Sequence, residues 1–258
     1  MDFTLVQDNV QNLVMDVDVI NEIATPNFGS SDELRIVLIG KTGSGKSTTG
    51  NSLLGETKFV EDVSSQSVTT YCESYRTERF GKSFRVVDTP GLFDTSLSLD
   101  KVAKEISRCV VMLSPGPHAF LFVLRVGRFT EEEQNTVSHL LDIFGSGALS
   151  YIIIVFTYKD DLDRKKRTLQ QYINGNQKLK ELTDKCPVFP IDNTKDTDEQ
   201  AKNLIALVEQ TVQRNGNVHY TNEMLQRASE AFELKKKQLQ EEEQRKFEEK
   251  SQTIARKI

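Results

Sequence analysis

The residue run Gly40-Lys41-Thr42-Gly43-Ser44-Gly45-Lys46-Ser47 concentrates more chemistry than any other part of this chain. Its glycines let the backbone curl so that successive N–H groups converge on one anion. Lys46 can reach the outer phosphates of a nucleoside triphosphate, and the Ser47 hydroxyl can bind Mg²⁺. Gly43, Ser44, Gly45, Lys46, Ser47 and Thr48 are therefore candidate phosphate contacts. The apolar run 34–39 just before it reads as a buried strand. Residues 47–54 read as a helix whose N-terminus faces the phosphates.

Other segments complete such a site. Asp88-Thr89-Pro90-Gly91 follows the apolar run Phe84-Arg85-Val86-Val87. Asp88 suits a second Mg²⁺ anchor acting through a water, because Mg²⁺ keeps several waters. Gly91 permits a backbone N–H to approach the terminal phosphate, so that loop can sense hydrolysis. The polar stretch 64–70 offers a threonine to complete the metal shell, with Thr69 favoured over Thr70 and a loop without ligands as the alternative. Thr157-Tyr158-Lys159-Asp160-Asp161 follows a third apolar run. A carboxylate at Asp161 can accept from both N1–H and the exocyclic amine of guanine, a donor pair adenine lacks. Lys159 packs its stem along the ring, and Tyr158, where Asn is usual, stacks on the base or fills space. Asn193 is a further candidate base contact.

These residues need a scaffold that brings them to one edge. Strand-like runs at 34–39, 84–88, 119–124, 151–156 and 187–191 alternate with helical runs at 47–54, 99–112, 130–144, 164–183 and 197–214. The alternation predicts an α/β fold, a mostly parallel sheet with helices on both faces. Ligands bind such sheets beyond the carboxyl ends of the strands. Gly40, Asp88 and residues 157–161 all fall there.

Residues 1–32 read as an N-terminal extension and linker, residues 33–220 as the nucleotide domain, and 221–258 as a C-terminal helix. In the extension, Val10, Leu13, Val14, Val17 and Ile20 can form one apolar face. In the C-terminal helix, Leu225, Phe232 and Leu239 repeat every seven residues, and Phe247 and Ile254 continue after a shift. The seam suits either packing on its own domain or a coiled-coil dimer. A net charge of −5 argues against nucleic acid as the main partner. No apolar stretch reaches membrane-spanning length, and the N-terminus lacks the basic and apolar regions of a signal peptide. Cys72, Cys109 and Cys186 are odd in number and widely spaced, fitting reduced thiols in a cytoplasmic protein.

The wider text carries a resemblance. The phosphate loop continues as Thr48-Thr49-Gly50-Asn51-Ser52-Leu53-Leu54-Gly55, and the second motif as Leu92-Phe93-Asp94-Thr95. Ser114-Pro115-Gly116-Pro117-His118-Ala119, Val126-Gly127-Arg128-Phe129-Thr130 and His219-Tyr220-Thr221-Asn222 follow. Over about residues 33–220 the chain resembles the GIMAP family, immunity-associated GTPases related to septins and plastid-import GTPases. The resemblance implies a Ras-like G domain that binds GTP and GDP with Mg²⁺. It also implies dimers formed across the nucleotide face and C-terminal helices that can fold over the second switch. Many members sit on intracellular membranes, so the expected location is cytoplasmic or peripheral to such membranes.

Small GTPases carry a glutamine just after the second glycine motif to orient the attacking water. Leu92 stands there and can do no such work, which predicts slow intrinsic hydrolysis. An arginine from a second protomer can restore the rate, and Arg128 is the candidate, acting with Lys46 and Thr69. The competing role for Arg128 is a surface pair with the acidic turn Glu131-Glu132-Glu133. Two functions follow as expectations: a slow GTPase stimulated by dimerisation with itself or related GTPases, or a GTP-gated scaffold with negligible hydrolysis. The base assignment has a direct check. Asp161→Asn should weaken GTP binding by at least about tenfold and favour xanthosine triphosphate, measured by competition binding.

Overall fold

A computed structural model describes residues 33–60, 71–89, 105, 108–109, 111–195, 197–223, 226 and 245. Six strands form one sheet: β1 (Leu34–Ile39), β2 (Glu73–Arg79), β3 (Lys82–Asp88), β4 (Ala119–Arg125), β5 (Ile152–Thr157) and β6 (Val188–Pro190). Their spatial order is β2-β3-β1-β4-β5-β6. All neighbouring pairs are parallel except the β2–β3 hairpin. The mostly parallel α/β architecture expected from the alternating runs is thus observed. Strand β1 sits at the centre, so the loop that follows it opens at the middle of the carboxyl edge.

Period-two burial explains why these runs become strands. Val37 and Ile39 face one layer with Phe120, Phe122, Leu124, Ile154 and Phe156. Ile36 and Leu38 face the other with Leu121, Val123, Ile153 and Val155. Helix α1 (Lys46–Leu54) and the long helix at Thr197–Arg214 cover the second layer through Leu53, Leu54, Ala201, Leu204, Ile205 and Val208. Helix α2 (Glu131–Phe144) covers the first through Val137, Leu140 and Phe144. It starts at a capping box in which the Thr130 hydroxyl accepts from Glu133 N–H, while Glu133 accepts from Thr130 N–H.

Two expectations are corrected. The helical run 164–183 begins at the last residue of a short helix α3 (Lys159–Arg164) and then holds two more, α4 (Leu169–Asn174) and α5 (Gln177–Thr183). Thr168 starts α4 with its own capping box, and the Gly175-Asn176 pair ends it, Asn176 then capping α5. Strand β2, Glu-Ser-Tyr-Arg-Thr-Glu-Arg, has no apolar alternation and was not among the expected strands. It is held by polar partners instead. Arg79 donates to the carbonyls of Ser52 (2.9 Å) and Leu53 (2.7 Å) at the end of α1, and Arg76 pairs with buried Glu33. Helix α6 is the Thr197–Arg214 element, as expected from its apolar spacing. The 1–32 extension and the seam Leu225, Phe232, Leu239, Phe247 and Ile254 lie outside the described residues.

The far end of the sheet is closed by the Pro-Gly-Pro-His segment. Tyr220 N–H donates to the Pro117 carbonyl at 2.7 Å, and Asn222 donates to the Phe144 carbonyl at 2.8 Å. A Cβ on Gly116, at φ +158°, would lie 2.0 Å from the Tyr220 carbonyl oxygen, so only glycine fits under this strap. His118 Nδ1 accepts from Arg35 N–H at 3.0 Å, which requires the neutral imidazole. Burial, then Arg35 and His219, lowers its pKa to about 3. The folded value lies below the ordinary 6.5, so unfolding takes up a proton between the two. The stabilising contribution is complete above pH 6.5 and is lost as pH falls toward 3. We expect stability to fall by up to about 1.4 kcal/mol per pH unit in this window, reduced by solvent screening at this half-buried site. His118→Asn, which keeps an acceptor but cannot titrate, should flatten the pH dependence of the urea midpoint relative to the wild type.

Candidate functional site

The phosphate loop spans the gap between β1 and α1. Gly40, Gly43 and Gly45 take φ values of +150°, +75° and +94°. Gly40 presses on β4, where a Cβ would come within 2.4 Å of the Val123 carbonyl oxygen. A Cβ on Gly43 would meet nothing within 4 Å, and its importance lies in its φ and in keeping that side of the loop open. Gly45 turns the chain into α1, so the first turn of that helix faces the loop.

A loop that aims its N–H groups inward turns carbonyls outward, and three of these are held by side chains. Lys46 Nζ donates to the carbonyls of Gly40 (3.0 Å) and Lys41 (3.1 Å), curling its buried side chain over its own loop. The Thr157 hydroxyl, at the end of β5, donates to the Ser44 carbonyl at 2.7 Å. That contact ties the candidate base motif after β5 to the phosphate loop. Thr157 was not among the expected site residues; its only sequence signal is a hydroxyl at a strand end beside Tyr158-Lys159.

The two candidate metal anchors meet. Ser47 Oγ donates to Asp88 Oδ2 at 2.6 Å. Asp88 is fully buried, and its Oδ1 has no hydrogen-bond partner. Burial raises its pKa, opposed chiefly by Lys46 and by the Ser47 hydroxyl. A hydroxyl next to a buried carboxylate with an unpartnered oxygen fits a hydrated Mg²⁺, with Ser47 as direct ligand and Asp88 acting through water. Thr69, Gly91 and Leu92 lie outside the described residues.

The base-side residues sit at the ends of β4, β5 and β6. Tyr158 is in the left-handed region at φ +58° and is 38% exposed. The Arg125 guanidinium stacks over its ring at 3.9 Å, a partner not expected from sequence. Asp161 pairs with Arg164, and Lys159 with Asp163 at 2.8 Å. Both are partly exposed surface pairs that a ligand can exchange at small cost. The Asn193 carboxamide bonds Thr49 Oγ1 and Ser52 Oγ, both at 3.1 Å, anchoring the loop after β6 to α1. Arg128 is exposed on the arm between β4 and α2. Glu133 of the acidic turn pairs with Lys41 of the phosphate loop at 3.0 Å.

A glycine phosphate loop at the carboxyl edge of a β2-β3-β1-β4-β5-β6 sheet, with Asp88 and the candidate base motif beside it, fits a nucleotide-binding domain of the phosphate-loop class. The AIG1 family model matches residues 34–242, and this chain belongs to the AIG1 family. The match runs past residue 220 into the C-terminal segment. Among relatives, immune-associated nucleotide-binding protein 9 of Arabidopsis thaliana is 40% identical over 210 residues, covering 78% of this chain and 61% of the relative. Immune-associated nucleotide-binding protein 3 of the same plant is 38% identical over 213 residues, covering 79% and 64%. The chain thus spans under two thirds of the length of either. The fold is similar to Arabidopsis Toc33 in complex with Mg²⁺ and GMPPNP, with TM-score 0.51, 18% identity, and 81% of this chain and 93% of that one covered. Among the described residues no helix is long and apolar enough to cross a membrane.

The Thr157 tether has a measurable consequence. Thr157→Val should cost about 1–2 kcal/mol in stability by leaving the buried Ser44 carbonyl without its donor. It should also weaken nucleotide binding, while Thr157→Ser retains both properties. Thermal unfolding and titration with a fluorescent guanine nucleotide check the pair.

Proposed function

We propose that this protein binds GTP and GDP and hydrolyses GTP slowly as a single chain, faster when two nucleotide faces meet. The observation that carries the reading is the juxtaposition of Ser47 with buried Asp88 beneath the glycine loop. The assignment to guanine rests on Asp161, with Lys159 and Tyr158 as flanking contacts to the base. The curated relatives are named as nucleotide-binding proteins, and Toc33 is described with GDP and with GMPPNP, each with Mg²⁺.

Lys46 and the loop N–H groups hold the β- and γ-phosphates in line for attack. Ser47, Asp88 through water, and Thr69 would hold Mg²⁺, which when bound would neutralise negative charge on the phosphates. Gly91 senses the γ-phosphate. Leu92 cannot orient water, so the chain lacks a catalytic glutamine of its own at that position. Arg128 would reach a neighbouring protomer's phosphate, a role supported by its exposure on the arm between β4 and α2. For other G domains of this fold, one description states that dimerisation is important for the GTPase activity of chloroplast translocon components. Another is of a Toc33 arginine-to-alanine mutant that is deficient in dimerisation.

The same Leu92 supports a second reading, a GTP-gated assembly scaffold with negligible hydrolysis. Turnover per molecule, followed across protein concentrations together with oligomer size, separates the two. The first reading predicts turnover that rises with concentration. It also predicts that Arg128→Ala lowers the stimulated rate by about 10³-fold or more, with GTP affinity nearly unchanged. Concentration-independent turnover, or an unaffected Arg128→Ala protein, would contradict it, and flat near-zero turnover with GTP-dependent assembly would favour the scaffold.

A further inference from the structure

The arm carrying Arg128 is fixed at both ends. Gly127 is bracketed by Tyr172, whose hydroxyl donates to the Gly127 carbonyl (2.9 Å) and accepts from its N–H (3.3 Å). At the other end Thr130 N–H and Oγ1 both lie on Glu133 Oε2, at 2.8 and 3.1 Å. Glu133 then makes a third connection. Its Oε1 is buried, makes no hydrogen bond, and faces Lys41 Nζ at 3.0 Å.

The charge on Glu133 calls for a reason of its own. A capping box works with glutamine as well as glutamate, so capping does not need a carboxylate. Glu133 is 1% exposed, and taking an ionised carboxylate out of water is costly unless a cation meets it. Lys41 is that cation, and it belongs to the phosphate loop. Its own carbonyl accepts from Lys46 Nζ. One run of contacts therefore leads from the phosphate-binding lysine, through Lys41 and Glu133, to the Thr130 end of the arm.

We propose that Glu133 is a positioning residue that registers the Gly127–Thr130 arm against the phosphate loop, so that nucleotide in the loop sets how Arg128 is presented. Its effect on turnover rests on the reading of Arg128 given above; the mechanical coupling does not.

Glu133→Gln keeps the capping box and deletes the charge pair, and Lys41→Met deletes it from the half-exposed side, should the first variant fold poorly. Amide hydrogen exchange is measured without nucleotide and with GDP and Mg²⁺. In the wild type, loading should slow exchange by at least about threefold in both 40–47 and 126–134. In either variant the slowing should persist at 40–47 and vanish at 126–134, and the double variant should match the singles. The concentration-stimulated GTP turnover should fall by about ten- to a hundredfold, with GTP affinity within about threefold of the wild type. An arm that slows on loading in Glu133→Gln as in the wild type, or that never responds in the wild type, overturns the proposal. Arg128→Ala distinguishes the two claims. Normal hydrolysis by Arg128→Ala with the exchange coupling intact removes the Arg128 reading and leaves Glu133. Lost stimulation in Arg128→Ala, with Glu133→Gln fully coupled and active, removes Glu133 alone.

Discussion

An anion cradle built from backbone N–H groups forces the opposite face of the same peptides to be satisfied. In this chain that constraint organises the site. The carbonyls of Gly40 and Lys41 are taken by Lys46, and the Ser44 carbonyl by Thr157. The Gly45 carbonyl accepts from Thr49 N–H as α1 begins. The partners come from helix α1 and from the end of β5. Holding the loop open therefore also fixes Lys46, Ser47 and the candidate base motif after β5 relative to one another.

The central position of β1 makes this economical. The loop leaves the middle of the carboxyl edge, so β3, β4 and β5 can all reach it from either side. Asp88 arrives from β3, Val123 of β4 presses on Gly40, and Thr157 arrives from β5. Helix α2 adds Glu133 on Lys41. Three strands and helix α2 thus converge on eight loop residues, Gly40–Ser47. A change of backbone geometry in the loop is felt by each of them.

Much of this was legible in the sequence because glycine spacing and apolar periodicity are strong local signals. The glycine loop after β1, Asp88 at the end of β3 and the parallel strands follow from them. What escaped was polar and non-local. Strand β2 has no apolar alternation and depends on Arg79 capping the end of α1 and Arg76 meeting Glu33. The 164–183 run looked like one helix because its apolar residues keep helical spacing; the capping residues Thr168 and Asn176 divide it. Thr157 and Glu133 join residues more than ninety positions away in the chain, and nothing in their immediate neighbours announces those partners. The anchoring of Asn193 on α1 through Thr49 and Ser52 likewise has no local signal.

The central claim is that the site is completed by a second chain. It is tested most directly by mixing two subunits that cannot each do the whole reaction. One is Arg128→Ala loaded with GTP. The other is Asp161→Asn, with Arg128 intact, loaded with a non-hydrolysable xanthosine triphosphate analogue. If Arg128 acts across the interface, adding the second subunit restores GTP turnover to the first, in proportion to the amount added. If turnover stays at the level of Arg128→Ala alone while the two subunits associate, the arginine does not act in trans and the account is wrong.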